Sequence, residues 1–268
     1  MSITPNTVIN GDCLEVMKEI DSESIDMIFV DLPYGTTQNQ WDVIIPPDKL
    51  WEQYERIIKP HGVILLFGQD KFTATMMLSN PKLHRYNIIW DKVLKSGFLN
   101  AKKMPLREHE DIMVFYKFLP VYHPQMVKGA KNHSKGSAVG KQAKDIHSNR
   151  SYGDYTLVQS SDSDLKYPAS IWRFPKPHPS VALHSTEKPI ELLRYAIRTF
   201  TNVGGVVLDN CCGTGSTLIA AKMEGRQYIG IDNGTCDKKK SPYFGLPWAE
   251  VAQLRLEGID YVPGAECS

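Results

Sequence analysis

The sequence predicts an α/β fold, a largely parallel sheet with helices on both faces. Three observations lead there. Short apolar runs rich in β-branched residues recur along the chain, segments with helically spaced apolar residues separate them, and several of the runs close on an acid or a glycine. Parallel strands covered on both faces read as such near-continuous apolar runs. With 268 residues, 42% hydrophobic and 23% charged, the chain can bury a full core as one large domain or as one domain with an insertion.

Thr7–Asn10 reads as the first strand, closing at Gly11 and Asp12, and residues 14–20 as a short helix with apolar positions at 14, 16, 17 and 20. Ile25–Val30 is a core strand that stops at Asp31, with Pro33 and Gly35 forming a tight turn. Asp48 is expected to cap a helix whose Leu50, Trp51, Tyr54, Ile57 and Ile58 share a face, ended by Pro60, His61 and Gly62. A buried strand over 63–68, a helix over 72–78 and strands over 86–90 and 111–116 follow. Regular structure returns with a helix that begins near 186–189, presents Leu192, Leu193, Ala196, Ile197 and Phe200, and ends at Gly204 and Gly205. "VVLDNCCGTGSTLIAAKMEG" then reads strand, glycine turn, helix. Gln227–Asp232 is a strand closing on an acid, and 248–256 a last helix.

Between about 118 and 180 the pattern dissolves. Residues 128–150 hold five lysines and one arginine against one acid, with three glycines and neither aromatic nor leucine. Such a segment cannot bury enough apolar area to order itself alone. It reads either as a solvated loop or as one that orders on a polyanion, with Lys128, Lys131, Lys135, Lys141, Lys144 and Arg150 neutralising phosphates. Tyr122, His123, Tyr152, Tyr155, Tyr167, Trp172 and Phe174 around it either stack on bases or form the small core of an inserted subdomain. The formal net charge is +1, so affinity for nucleic acid would have to come from a local patch.

Five cysteines, at 13, 211, 212, 236 and 267, are odd in number and include an adjacent pair, which argues against a disulfide framework; no CxxC suggests zinc. No signal-type amino terminus and no run approaching ~18 apolar residues is present. The expectation is a reduced protein in the cytoplasm, without a metal or a membrane partner.

Two stretches carry chemistry. In "DLPYG" (31–35), Asp31 stands at a strand's carboxyl end, where ligands gather in open α/β sheets. An Asp there is often only a turn former; a stiffening Pro33 and a flat Tyr34 make the stretch more specific. The second is the glycine turn. Gly213 and Gly215 let backbone approach a ligand at a helix amino terminus, yet Leu218 occupies the third position of a dinucleotide fingerprint and no phosphate-loop lysine follows. The turn therefore suits a nucleoside that does not rest on a pyrophosphate. S-adenosylmethionine fits, its carboxylate on turn N–H groups and its ribose hydroxyls on Asp232.

With DLPYG first, an irregular middle, and "HSTEKPIELL…VVLDNCCGTGST" (184–217) last, the chain resembles the β class of DNA amino-methyltransferases along nearly its whole length. "INGDCLEVM" and "PLREHEDIMVFYK" look like family stretches too. The resemblance implies a circularly permuted Rossmann-like methyltransferase fold with a mixed, mostly parallel seven-stranded sheet. Residues 1–117 would be the catalytic half, 118–180 a target-recognition insertion and 181–268 the cofactor half. It implies catalysis by Asp31, Leu32, Pro33 and Tyr34. Cofactor contacts would come from Asp12, Cys13, Asp31, His184, Ser185, Thr186, Lys188, Asp209, Cys211, Gly213, Gly215, Ser216, Thr217, Asp232 and Asn233. The family's usual Asp-Pro-Phe is here Asp209, Asn210, Cys211, and Leu32 replaces a commoner proline.

The implied reaction is methyl transfer to the N6 amine of a flipped-out adenine in double-stranded DNA, by an enzyme encoded by a bacterium or phage. An aspartate at the motif's first position favours adenine over cytosine N4. RNA bases or glutamine side chains, and a silent DNA-binding protein that keeps the fold, are the other readings. The sequence leaves open a homodimer and a paired restriction endonuclease.

Overall fold

The computed structural model describes residues 2–37, 39, 42–129, 146–149, 153–156, 164–176, 183, 187–239 and 241–258. Two compact units divide the chain, Met1–His123 with Ser170–Ser268, and Pro124–Ala169.

The larger unit is built on one sheet. Its strands are β1 (Thr7–Asn10), β2 (Ile25–Val30), β3 (Ile58–Gly68), β4 (His84–Ser96), β5 (Arg107–Phe115), β6 (Ile171–Arg173), β7 (Val206–Asp209) and β8 (Gln227–Asp232). They lie in the order β1-β8-β7-β2-β3-β5-β4-β6, and β5 alone runs antiparallel to its neighbours. The sheet therefore has eight strands, where seven were expected. The added strand, β6, pairs with Ile89, Trp90 and Asp91 of β4. Three residues are too few to show a period, and β6 holds through Trp172, buried in the core, and through Trp90, whose indole N–H donates to the Phe174 carbonyl at 2.8 Å.

Alternation along the strands sorts side chains between two apolar layers. Met27 and Phe29 of β2 face one cluster together with α4 (Ile190–Phe200) and α5 (Ser216–Met223), while Ile28 and Val30 face the other with α2 (Pro47–Ile57). The stripe Leu192, Leu193, Ala196, Ile197 and Phe200 predicted for α4 is buried. Each fully buried aliphatic there contributes about 1.5–3 kcal/mol. With the short α1 (Cys13–Val16), the helices α3 (Asp70–Ser79) and α6 (Trp248–Glu257) complete the layers; no helix among the described residues is long and apolar enough to cross a membrane.

Several boundaries differ from the sequence reading. Pro46, not Asp48, occupies the N-cap of α2, with Asp48 in its first turn. Pro60, His61 and Gly62 do not merely stop that helix; they belong to β3, in a bulge where Ile25 pairs with Ile58 but Met27 already pairs with Val63. A side chain at Gly62 would meet the Asp26 carbonyl at 2.9 Å. Helix α4 starts later and ends earlier than expected. Pro189 is its N-cap, and Thr201 closes it with both its N–H and its hydroxyl donating to the Ile197 carbonyl. Nor is 118–180 wholly irregular. Besides β6, Val127–Lys128 pairs with Leu165–Lys166 and Ile146–Asn149 with Gly153–Thr156. Trp172 and Phe174 join the main core, not a subdomain of their own.

Candidate active site

Strand β7 pairs in parallel with β2, Val207 against Met27 and Leu208 against Ile28, so Asp31 and Asp209 leave adjacent strands at the same edge. From that point the chain turns outward to β3 on one side and β8 on the other. Neighbouring strands whose connections diverge leave a crevice at their carboxyl ends. A cavity of about 1250 Å³ opens there, larger than a single small-molecule site usually is and roomy enough for two ligands. The N-terminal half lines it with Asp12, Cys13, Asp31, Leu32, Pro33 and Tyr34; the C-terminal half contributes Lys188, Asp209, Cys211, Gly213, Ser216 and Thr217, with Asp232 and Asn233.

Asp31 is the centre of a buried charge chain. Its Oδ1 accepts from the Tyr34 hydroxyl at 2.8 Å and its Oδ2 from the Lys188 ammonium. Lys188 lies 3.6 Å from Glu110 Oε2 and 4.8 Å from the centroid of the Phe67 ring, while Lys92 donates to Glu110 Oε1 at 3.1 Å. Burial pushes the Asp31 carboxyl up; the Lys188 charge opposes that rise and Glu110 adds to it. Burial pushes the Lys188 ammonium down, but Asp31 and Glu110 outweigh it and hold the group above the usual lysine range. The Tyr34 ring stacks on Phe72, centroids 4.6 Å apart.

The turn after Asp31 is fastened by Asp42. Its carboxylate accepts from the backbone N–H groups of Gly35, Thr36 and Thr37 at 2.8, 2.9 and 2.7 Å. Partial burial pushes that carboxyl up, and the hydrogen bonds reverse the effect, leaving it below the usual range. The Leu32 side chain is buried beneath the turn.

The glycine turn is held by backbone shape. Gly213 and Gly215 adopt φ of 48° and 80°, values that favour glycine. The Gly213 N–H donates to Asp232 Oδ2 and the Gly234 N–H to Oδ1, both at 2.8 Å. The two glycines serve different ends. A Cβ on Gly213 would meet nothing within 4 Å, whereas one on Gly215 would lie 2.7 Å from the Ala252 Cβ. Gly215 thus allows close helix packing and does not line the cavity. Burial pushes Asp209 up to about 7 despite hydrogen bonds from Thr217 and the Cys211 N–H. At the two positions where the resembled motif usually carries a proline and a ring, Asn210 accepts from the buried Tyr54 hydroxyl at 2.6 Å and Cys211 contacts Cys13. That contact lowers the Cys13 thiol.

Asp12 caps the short helix Cys13–Val16, accepting from Leu14 N at 2.9 Å. Lys128 is exposed and 3.8 Å from Asp164. His184, Ser185, Thr186, Lys131, Lys135, Lys141, Lys144 and Arg150 lie outside the described residues. Sequence reasoning missed Asp42, Lys92 and Glu110, and also Glu187, whose carboxylate accepts from Ser216 at 2.9 Å and pairs with Arg255 at 3.0 Å. The acid–base alternation of Arg107-Glu108-His109-Glu110, ending on an apolar strand, was the available signal for Glu110.

The donor set fits S-adenosylmethionine. Acidic side chains of Asp31, Asp209 and Asp232 line one cavity with Trp248, a lining that suits a ligand with cationic and hydroxyl groups.

A family model described as DNA methylase matches residues 25–236. The DNA adenine methyltransferase YhdJ of Escherichia coli (strain K12) is 30% identical over 242 residues, covering 84% of this chain and 78% of that protein. Among solved structures, the M1.HpyAVI–SAM complex superposes with a TM-score of 0.59 at 18% identity, over 93% of this chain and 98% of the other. The cytosine-N4-specific PvuII DNA methyltransferase gives 0.63 at 13% identity, over 96% and 94%.

Proposed function

This chain belongs to the DNA methylase family, and from that premise we propose that it methylates the N6 amine of adenine flipped out of double-stranded DNA, with S-adenosylmethionine as donor. The observation that carries the reading is the single cavity into which Asp31 and the glycine turn both open. An aspartate ending β2, and the 30% identity to an adenine methyltransferase, favour adenine over cytosine.

The bound cofactor would supply an electrophilic methyl group on a sulfonium that is its own leaving group. The protein's part begins with an adenine amine whose lone pair is conjugated into the ring. Asp31 accepts from one amine hydrogen and draws the nitrogen toward tetrahedral geometry, exposing the lone pair. Lys188 keeps that carboxylate ionised in a buried setting. Pro33 helps fix the backbone carbonyls beside it, having no N–H to misdirect. Alignment of the reacting atoms by these walls is worth roughly 7–11 kcal/mol of barrier. Asp31 then takes the proton that the methylated nitrogen sheds and passes it to water.

Asp232 and Asn233 would hold the ribose, and the backbone of the turn at Gly213, with Asp12, Ser216 and Thr217, the amino-acid end. Residues 128–150 would grip phosphates, within a target-recognition region at 118–180. Extraction of the base costs a few kcal/mol, offset by phosphate contacts and by stacking on Tyr34.

The test is transfer of tritiated methyl from S-adenosylmethionine to adenine-unmethylated duplex DNA, followed by digestion to nucleosides. N6-methyladenine is expected. N4-methylcytosine would replace the adenine assignment, and an absence of label with intact cofactor binding would favour a silent DNA-binding protein.

A further inference from the structure

The connection between β4 and β5 presents large apolar side chains to solvent. Ser96 and Arg107 form the last pair of the hairpin. Beyond them Phe98 is 69% exposed and Leu99 is 100% exposed, with Met104 at 43% and Leu94 at 44%. This tip is ordered by its own backbone. Gly97 turns at φ 85°, Phe98–Asn100 forms one helical turn, and the Lys103 and Met104 N–H groups donate to the Asn100 carbonyl at 2.8 and 3.0 Å. The apolar side chains are therefore held outward on a shaped scaffold with nothing packed over them among the described residues.

Charge identifies what covers them. From Lys92 to Arg107 the chain carries five cations and no acid, although the whole protein has a net charge of only +1. Lys92 and Arg107 are paired with Glu110 and Asp70, which leaves Lys95, Lys102 and Lys103 exposed and without an ion pair among the described residues. A second copy of this chain would bring the same cations face to face, so a polyanion is the better occupant. Position agrees, because Lys92, Ser96, Gly97 and Arg107 line the cavity that holds Asp31. The hairpin stands at the cavity's rim.

We infer that this hairpin is a DNA wedge: Phe98 and Leu99 enter the base stack beside the extruded adenine, and Lys95, Lys102 and Lys103 contact the flanking phosphates. Apolar side chains of these types are the ones that unstack base steps, and phosphate contacts hold the duplex while they do so. The inference rests on the proposed action on duplex DNA and adds the element that opens the duplex.

The experiment uses the full chain and a duplex carrying the recognition site found by sequencing methylated DNA. In one form the target adenine faces thymine; in the other it faces an abasic position, which leaves little to unpair. Single-turnover transfer is measured for the wild type and for Phe98→Ser/Leu99→Ser. The double variant is expected to lose about 10- to 100-fold on the paired duplex and less than about threefold on the abasic one, since only the first must bear the flipping cost. Equal loss on both, or none on the paired duplex, overturns the wedge while wild-type activity leaves the enzyme reading intact. No transfer by the wild type to either duplex would remove the enzyme reading itself. A Lys95→Ala/Lys102→Ala/Lys103→Ala variant should lower the slope of log affinity against log salt by about 3; an unchanged slope also overturns the inference.

Discussion

The two turns that meet in the cavity solve the same placement problem by opposite means. The turn after β2 is fastened by side-chain charge, with Asp42 accepting three backbone N–H groups and Asp31 bound by Lys188 and Tyr34. The turn after β7 is fastened by backbone shape, with two glycines at positive φ and one of them against a neighbouring helix. Charge can be reset by a proton or an incoming ligand, whereas a backbone conformation cannot. The first turn is thus suited to chemistry and the second to holding a fixed ligand. Substitutions in the first should register as rate effects or as stability that depends on pH, and those in the second as stability that does not.

The largest effect is expected at Asp31. Asp31→Asn keeps the shape but offers the amine a neutral and weaker acceptor, so kcat at saturating cofactor should fall by about 10³-fold or more. Next is Lys188→Met. Burial raises the Asp31 carboxyl and Lys188 opposes it; without the ammonium, the carboxyl rises further. Activity requires the ionised form, so the variant should lose about 10- to 100-fold at neutral pH and recover as pH is raised. A variant whose pH profile matches the wild type, with only the KM for cofactor increased, would make Lys188 a cofactor ligand instead.

In the second turn, Gly215→Ala should cost about 2–3 kcal/mol in urea unfolding. Its φ of 80° disfavours a side chain, and its Cβ would meet Ala252 at 2.7 Å. Gly213→Ala, with open space around it, bears only the backbone cost of roughly 1 kcal/mol; equal losses at both would refute the distinction drawn between them. Asp42→Ala should lose about 1–2 kcal/mol at pH 7, because water reaches the N–H groups it abandons. Its carboxyl lies below the ordinary value, so its contribution is complete above about pH 3.9 and fades as pH falls through the lower folded value. The gap between wild type and variant should close over that acid range.

Much of this architecture is legible in the sequence because burial on both faces leaves a local mark. Ile25–Val30 and Gln227–Asp232 coincide with their predicted bounds; an acid follows the first directly and ends the second. What is not legible depends on neighbours far along the chain. Residues 86–90 showed as apolar, but β4 runs from His84 to Ser96 because antiparallel pairing with β5 supplies hydrogen bonds to polar residues that no periodicity marks. Lys188 reads as part of a cofactor motif, and only the fold brings it to Asp31 and Glu110, residues on β5 and beyond β2. Asn210 and Cys211 looked like losses at a cofactor motif; Tyr54 and Cys13, 156 residues away in the first case, are the partners that absorb them.

The smallest expected effect is that of deleting the Tyr34 hydroxyl, and it is the sharpest probe of the charged turn. Both Asp31 oxygens are engaged, one by Lys188 and one by the Tyr34 hydroxyl. An amine hydrogen must claim one of them. Lys188 is buried and held by two carboxylates, so the phenol is the partner that yields. Tyr34→Phe deletes a hydrogen bond that the reaction breaks in any case, and kcat should stay within about threefold of wild type, with KM for DNA equal or lower. Tyr34→Ala also removes the ring on which the base would rest and should lose about 10- to 100-fold, in keeping with the ~1–3 kcal/mol of one aromatic–base stack. If the phenylalanine variant falls as far as the alanine one, the hydroxyl takes part in the reaction and the assignment of Oδ1 to the amine is wrong.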